Sequence, residues 1–367
     1  MTLTLLGFYL LFCLTNFVFF LAFLSFANAR NRKTEKPGFP VSVIICAKNE
    51  AENLRNFLPS ILEQEYPDFE VVVINDASTD STLEVIEEFQ KIDGRIKIVN
   101  VQNNEAFWAN KKYALTLGIK KARNSHLLFT DADCAPQSNK WIAGMVQNFS
   151  AEKSIILGYG GYFKHRNSFL NKLIRFETLL TAIQYFSYAR LGSPYMGVGR
   201  NLAYTSEEFY AHKGFASHLH LRSGDDDLFV NEAATAHNTA ICFNKEAITR
   251  SVPKQTFKEW FQQKRRHTSI ARHYQLKHKF LLGLFYSSKL LFWLLLPILL
   301  IAQVYPVIVL SALGLLLLLE FLVYYKSARK IGETDVVWLF PFLEVFLILS
   351  QLSIFIANIF SKPSHWK

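Results

Sequence analysis

The stretch His126-Leu127-Leu128-Phe129-Thr130-Asp131-Ala132-Asp133-Cys134 decides how this chain is read. Its apolar half has the character of a buried strand. Asp131 and Asp133 then fall at the carboxyl end of that strand. Open α/β sheets bind ligands outside that edge. Two hard carboxylate ligands there suit a divalent cation that keeps some of its waters and grips a diphosphate. An isolated Asp-x-Asp also describes a solvated turn, so its weight depends on its neighbours.

The preceding sequence alternates strand and helix. Val41-Ser42-Val43-Ile44-Ile45-Cys46 is a continuous apolar run, as in a parallel strand buried on both faces. Asn49-Glu50 follows, then a helix from about Glu52 to Glu65 that Pro67 ends. Phe69 to Ile74 reads as the second strand and leads into Asn75-Asp76-Ala77-Ser78, after which Thr79-Asp80-Ser81-Thr82 can cap a helix running to about Lys91. Ile96 to Val101 is the third strand, and a helix from Lys111 to Arg123 leads to the fourth. This alternation predicts an α/β fold, a mostly parallel Rossmann-like sheet flanked by helices. Polar residues collect at the strand ends: Asn49 and Glu50, Asp76, and Asp131 with Asp133.

The rest of the chain is unlike a soluble enzyme. Of 367 residues half are hydrophobic, and the mean hydropathy is +0.13. The net charge is +10. Cys13, Cys46, Cys134 and Cys242 have no CxxC spacing, which argues against a zinc site or a disulfide framework and suits a reducing compartment. Residues 1–29 carry no charged side chain, enough to cross a bilayer. The absence of a basic start and the length of the run disfavour a cleaved signal peptide, although Ala27-Asn28-Ala29 looks like a cleavage site. Arg30, Arg32, Lys33 and Lys36 follow and place this flank in the cytoplasm. Apolar runs at about 280–302, 304–325 and 336–360 predict three more spans, the first two forming a helical hairpin. Lys326, Arg329 and Lys330 again mark the cytoplasmic side, whereas Lys362 and Lys367 mildly resist an outside C-terminus.

The expected organisation is an N-terminal transmembrane helix (1–29), a basic linker (30–40), a cytoplasmic catalytic domain (41–250), a basic amphipathic interfacial segment (251–279), three transmembrane helices (280–360) and a tail (361–367). Lys289, Glu320 and Glu344 sit one per C-terminal span. Depth along the helices predicts a Lys289–Glu344 pair, with Glu320 nearer the surface. The pair is either structural or the lining of a groove for a lipid acceptor. The apolar segment 168–191 is expected to be interfacial, a buried helix being the alternative. Between Lys254 and Lys279 lie eight Lys or Arg residues and one acid, Glu259. Next to a span, that basic stretch suits membrane lipids and argues against nucleic acid.

Val43-Ile44-Ile45-Cys46-Ala47-Lys48-Asn49-Glu50, Asn75-Asp76-Ala77-Ser78-Thr79-Asp80, Lys111-Lys112-Tyr113-Ala114-Leu115 and Asp131-Ala132-Asp133, in this order, resemble the nucleotide-binding half of a family 2 glycosyltransferase. Gly199-Arg200-Asn201-Leu202-Ala203-Tyr204 resembles that family's acceptor-side segment. Ser223-Gly224-Asp225-Asp226-Asp227-Leu228 resembles its Glu-Asp base motif, with Asp225 in place of Glu. Gln263-Lys264-Arg265-Arg266-His267 resembles its Gln-x-x-Arg-Trp motif, with His267 in place of Trp. The resemblance covers about residues 41–270 and implies the GT-A fold and an inverting, membrane-bound transferase.

The resemblance also implies roles. Asn49, Glu50, Asp76, Lys111 and Asp131 would bind the donor, and Asp133 with Asp131 would hold Mg²⁺ or Mn²⁺. Asp226 would be the general base, with Asp225, Gln263 and Arg266 also catalytic. Asn201, Asp227 and His267 would meet the acceptor. The three adjacent aspartates repel one another, which should raise at least one pKa toward the range of a base. For Lys111 and Lys112, a solvated helix start is the plain alternative. The expected partners are a nucleotide sugar, most often a UDP-sugar in that family, a lipid-linked or glycan acceptor, and the lipids of a bacterial inner membrane. A processive polysaccharide synthase and a non-catalytic scaffold that keeps the fold are the competing readings. The imidazole of His267 is a poorer stacking platform than an indole, and four spans favour single transfer over a channel.

Overall fold

The computed structural model describes residues 2–31, 38–102, 111–221 and 223–361. Arg32, Lys33, Lys36, Lys362 and Lys367, which entered the topology argument, lie outside them. Two compact units form from the described residues, one from those of 2–29, 167–191 and 255–361, the other from those of 30–31, 38–102, 111–166, 192–221 and 223–254.

The second unit is the α/β unit. Its elements are β1 (Val41–Ala47), α2 (Ala51–Leu62), β2 (Phe69–Asp76), α3 (Thr82–Ile92), β3 (Ile96–Val101), α4 (Lys111–Lys121), β4 (His126–Asp131), β5 (Cys134–Pro136), α5 (Trp141–Val146), β6 (Ile155–Leu157), β7 (Gly160–Tyr162), β8 (Leu202–Thr205), α7 (Ser206–Ala211), α8 (Asp227–Ala233), β9 (Thr239–Ile241) and β10 (Thr249–Ser251). The helix α1 that precedes them is Thr2–Ala27. Seven strands form one sheet in the order β3-β2-β1-β4-β8-β6-β9. The first four are parallel, and β8 runs antiparallel to both β4 and β6.

The apolar runs explain the layering. Val41 to Ile45 and Val71 to Ile74 are wholly buried, so both faces of the central strands must be covered. On one face α4 lies so close that a Cβ at Gly118 would come within 2.3 Å of Ile74 Cδ1. Parallel pairing in register then brings the strand ends to one edge. Cys46 lies opposite both Ile74 and Asp131, and Asp76 lies opposite Val101. A second sheet, β5-β10-β7, pairs Ser251 with Cys134 on one side and with Tyr162 on the other.

The other unit holds α1, α6 (Phe169–Arg190), α9 (Phe257–Ile270), α10 (Leu276–Ile301), α11 (Pro306–Ile331), α12 (Thr334–Val337) and α13 (Phe340–Phe360). Four of these, α1, α10, α11 and α13, are long and apolar enough to cross a membrane. The C-terminal ends of α1 and α11 lie together, because Lys326 Nζ donates to Asn28 Oδ1 at 3.1 Å and Lys330 Nζ donates to the Ala29 carbonyl.

Two expectations are corrected here. The segment 168–191 is a buried helix rather than an interfacial one. Fifteen of the 22 residues of α6 are buried, with Phe186 against Phe26 of α1 and Phe176 against Tyr324 of α11. Its apolar side chains run around the helix, so neighbours are needed on every face. Glu320 is not nearer a surface but fully buried, and Lys289 bonds to it as well as to Glu344, at 2.9 Å in the latter case. Trp293 Nε1 and the Tyr324 hydroxyl also donate to Glu344, at 3.0 and 3.2 Å. Inside an apolar bundle a second acid gathers to the same ammonium because no water is there to solvate it.

The basic stretch is also tied down by protein. A capping box of Thr256 and Glu259 starts α9. The Trp260 indole and Lys264 both bond to Glu177 of α6, and Arg265 donates to Asn358 Oδ1 at 2.9 Å. A further buried pair anchors α6 itself: Arg175 Nε donates to Glu333 Oε2 at 2.8 Å, and Nη1 donates to Asp335 Oδ2 at 2.7 Å. Replacing Arg175 by Ala would strand the buried Glu333 charge, at a cost of about 3–5 kcal/mol. A thermal melt of the full chain in detergent should show a markedly lower midpoint. Arg175→Ala melting with the wild type would show that the pair contributes nothing.

Candidate active site

The carboxyl edge of β1, β2 and β4 carries the acidic residues. Leaving β1, Asn49 adopts a φ of 55°, which Asn tolerates better than most residues. Its Oδ1 accepts from the Thr79 N–H at 2.8 Å, and its own N–H donates to Ser78 Oγ at 3.0 Å. The Glu50 N–H donates to Thr82 Oγ1 at 2.9 Å. The loops after β1 and β2 are therefore stitched together. Between them Ala77 sits at a φ of 49°, strain of about 1–3 kcal/mol that such edges concentrate. Asp76 is buried, and burial raises its carboxyl above the usual range against the pull of Lys48 and Lys111.

Lys111 opens α4 and bridges two acids. Its Nζ lies 3.0 Å from Asp131 Oδ1 and 3.1 Å from Asp225 Oδ2. Burial would discharge this ammonium, but the Asp131 and Asp225 charges outweigh it and hold the pKa well above its ordinary value. Burial would likewise raise Asp225, and the charge and hydrogen bond of Lys111 reverse that and hold it below. The next residue goes the other way. Burial, and then the charge of Asp225, push Asp226 up to about 6. Its orientation is fixed by two backbone donors: the Gly199 N–H reaches Oδ2 at 2.7 Å, and the Asp227 N–H reaches Oδ1 at 2.8 Å. Asp226 thus caps α8, which Asp227 begins. Lys111, Asp131, Asp225 and Asp226 line one pocket with about 320 Å³ of empty space, over a floor that includes Ile44, Leu202 and Tyr204.

Asp133 follows one turn beyond β4. Ligand atoms of Asp131, Asp133 and Cys134 all lie within 4.8 Å of one another. Burial, and then the Asp131 charge, raise the Asp133 carboxyl against the pull of Arg200 and Lys254. Burial also pushes the Cys134 thiol up, and it donates to Asp133 Oδ1 at 3.3 Å. A protonated thiol is no ligand for a hard cation. Two carboxylates whose oxygens come this close suit Mg²⁺ or Mn²⁺ better than a soft metal, so the residues present fit the implied ion.

Several residues take other places than expected. Asn201 does not face an acceptor. It is fully buried: its Oδ1 accepts from the Trp141 indole at 3.0 Å, and its Nδ2 donates to the Tyr159 and Ala247 carbonyls at 2.9 and 2.7 Å. An amide committed in this way ties α5 to the two sheets rather than meeting a ligand. Gln263, Arg266 and His267 lie on α9, with His267 exposed. Lys112 is not a solvated helix start. It is fully buried, and its Nζ donates to the carbonyls of His218 and Leu221 at 2.8 and 3.2 Å. Burial lowers it to about 8. Lys112 shares the buried face of α4 with Leu115 and Ile119, a helical spacing that could have flagged it.

The comparisons with known proteins point to one family. The profile described as "Glycosyl transferase family 2" matches residues 42–204, and "Glycosyl transferase family group 2" matches residues 132–325. An uncharacterized glycosyltransferase of Haemophilus influenzae is 34% identical over 124 residues, 34% of this chain and 36% of that protein. A poly-beta-1,6-N-acetyl-D-glucosamine synthase of Staphylococcus epidermidis is 38% identical over 93 residues, 25% of this chain and 21% of that protein. The chain thus spans well under half the length of these curated relatives. In fold it is similar to the mannosyltransferase PcManGT of Pyrobaculum calidifontis, solved with GDP-Man and Mn²⁺ (TM-score 0.60, 16% identity, covering 92% of this chain and 97% of that one). With an acidic strand edge, a capped Asp226 and a family profile spanning more than half of its length, the chain belongs to the family 2 glycosyltransferases.

Proposed function

We propose that this chain is a membrane-bound inverting glycosyltransferase that moves a sugar from a nucleoside diphosphate sugar to a lipid-linked or glycan acceptor. The observation that carries the reading is Asp226, held by the Gly199 and Asp227 N–H groups beside an Asp225 paired with Lys111, where burial and the Asp225 charge raise it to about 6. A carboxylate with that pKa is matched to general-base work near neutral pH.

Asp226 takes the proton of the acceptor hydroxyl. The hydroxyl oxygen attacks the anomeric carbon from the face opposite the leaving group, the carbon–oxygen bond to the diphosphate breaks, and the electron pair departs with it. Configuration inverts in one displacement. The Gly199 and Asp227 N–H groups hold the carboxylate in place while leaving lone pairs for that proton. Asn49, Glu50 and Asp76, at the ends of β1 and β2, would meet the nucleoside and ribose. Asp131 and Asp133 would hold Mg²⁺ or Mn²⁺, which when bound neutralises charge on the departing diphosphate. A UDP-sugar is our first choice of donor, and the GDP-Man and Mn²⁺ of the fold neighbour are a precedent for the ligand class. Adjoining ends of α1 and α11, marked by Arg30, Lys326, Arg329 and Lys330, support a cytoplasmic α/β unit at a bacterial inner membrane. The synthase-like relative favours a second reading, processive polymer synthesis, which product length would reveal.

Nucleotide release should be followed with UDP-, GDP- and dTDP-sugars, a divalent cation and a membrane lipid extract. One donor should support metal-dependent release, and Asp133→Ala should abolish it; release that ignores both metal and Asp133 removes that carboxylate from the site. Asp226→Asn should lower turnover by about 10²–10⁴-fold with donor binding retained. Because the base works deprotonated, turnover should fall about tenfold per unit as pH drops below about 6. A flat profile from pH 5 to 8 would take Asp226 out of that role.

A further inference from the structure

Arg200 has no place in the mechanism so far, yet it is firmly held in the α/β unit. Its Nη1 donates to the Gly161 carbonyl at 2.8 Å and to Ser251 Oγ at 2.7 Å. The guanidinium lies over the Tyr162 ring, 4.1 Å from its centroid. Its backbone is fixed as well, for its carbonyl accepts from Thr130 Oγ1 at 3.1 Å and from Thr249 Oγ1 at 2.8 Å. Strand β7 makes room for it with glycine, since a Cβ at Gly160 would come within 3.0 Å of Arg200 Cβ.

These contacts bracket the acidic segment. Thr130 immediately precedes Asp131, and Ser251 pairs across the small sheet with Cys134, immediately after Asp133. The charge of Arg200 accordingly acts on both Asp133 and Asp131. No hydrogen bond joins them, and among the described residues neither Nε nor Nη2 of Arg200 has a partner. Lys111, in contrast, is already committed to two aspartates. A stacked guanidinium with one nitrogen anchored and a free N–H edge is suited to a bidentate grip on phosphate.

We infer that Arg200 is a further binding residue for the diphosphate of the donor, set beside the Asp131–Asp133 pair by the β5-β10-β7 sheet. The inference rests on the transferase reading. With the diphosphate bound, its free edge would bond non-bridging oxygens and share the charge that builds on the leaving group.

Binding of UDP and GDP, each with Mn²⁺, should be compared with binding of uridine and guanosine, using the full-length protein in detergent. Arg200→Gln should weaken binding of the diphosphate at least tenfold and leave the nucleoside unchanged. Arg200→Lys, which keeps the charge but loses the fork, should fall between it and wild type. Mn²⁺ bound without nucleotide, followed by electron paramagnetic resonance, should hold or tighten, because a repelling charge has gone. If Arg200→Gln does not fold, the Lys variant decides by the same ratio of diphosphate to nucleoside binding. Wild-type diphosphate affinity in the folded variants, or equal losses for diphosphate and nucleoside, would overturn the inference. A wild type that binds neither UDP nor GDP would instead sink the transferase reading beneath it.

Discussion

The Lys111 ammonium, shared between Asp131 and Asp225, is the contact on which the α/β unit's acidic edge depends. It joins the end of β4 to the segment that starts α8. Without it, Asp131, Asp225 and Asp226 would face one another in a partly dry pocket, and their repulsion would protonate them or push the segments apart. With it, Asp225 stays ionised, while the neighbouring Asp226 carries a raised pKa. One cation thereby sorts adjacent carboxylates into different protonation behaviour. Lys112, the next residue, holds the carbonyls of His218 and Leu221, so α4 grips the approach to Asp225 at two points.

The helical unit solves a related problem with the same parts. Lys289 serves Glu320 and Glu344, and Arg175 serves Glu333 and Asp335. In each case one cation takes two acids, since a buried carboxylate left alone costs more than a second bond to a shared donor. The difference lies in access. The Lys111 cluster lines a pocket, whereas Lys289, Glu320 and Glu344 are sealed among helices. The sealed cluster has the form of a fastening between spans, and the open one has the form of a site.

Much of this was legible in the residue order. The apolar runs of β1, β2 and β4 needed cover on both faces, which made the parallel sheet readable, and Ile96–Val101 was read with its observed bounds. Once the strands were placed, the positions of Asp76 and Asp131 at one edge followed from parallel pairing. Asn201 was misread because a motif position says which residue is present but not which way its amide points. Glu320 was misplaced because depth along separate helices ignores their tilt and rotation. The burial of α6 was missed because an aromatic-rich helix looks the same whether lipid or protein surrounds it.

Local chemistry alone determined the α/β class, the four apolar spans and the acidic strand edge, because periodicity, run length and strand ends are written into neighbouring residues. Contacts between segments distant in the chain required the tertiary structure. Folding decided that Lys111 would join Asp131 to Asp225, that Asn201 would become a buried tie, and that Arg200 would stand beside the Asp131–Asp133 pair. A pKa, a hydrogen-bond partner or a free guanidinium edge depends on what packs against a residue, and that is settled only when the chain closes on itself.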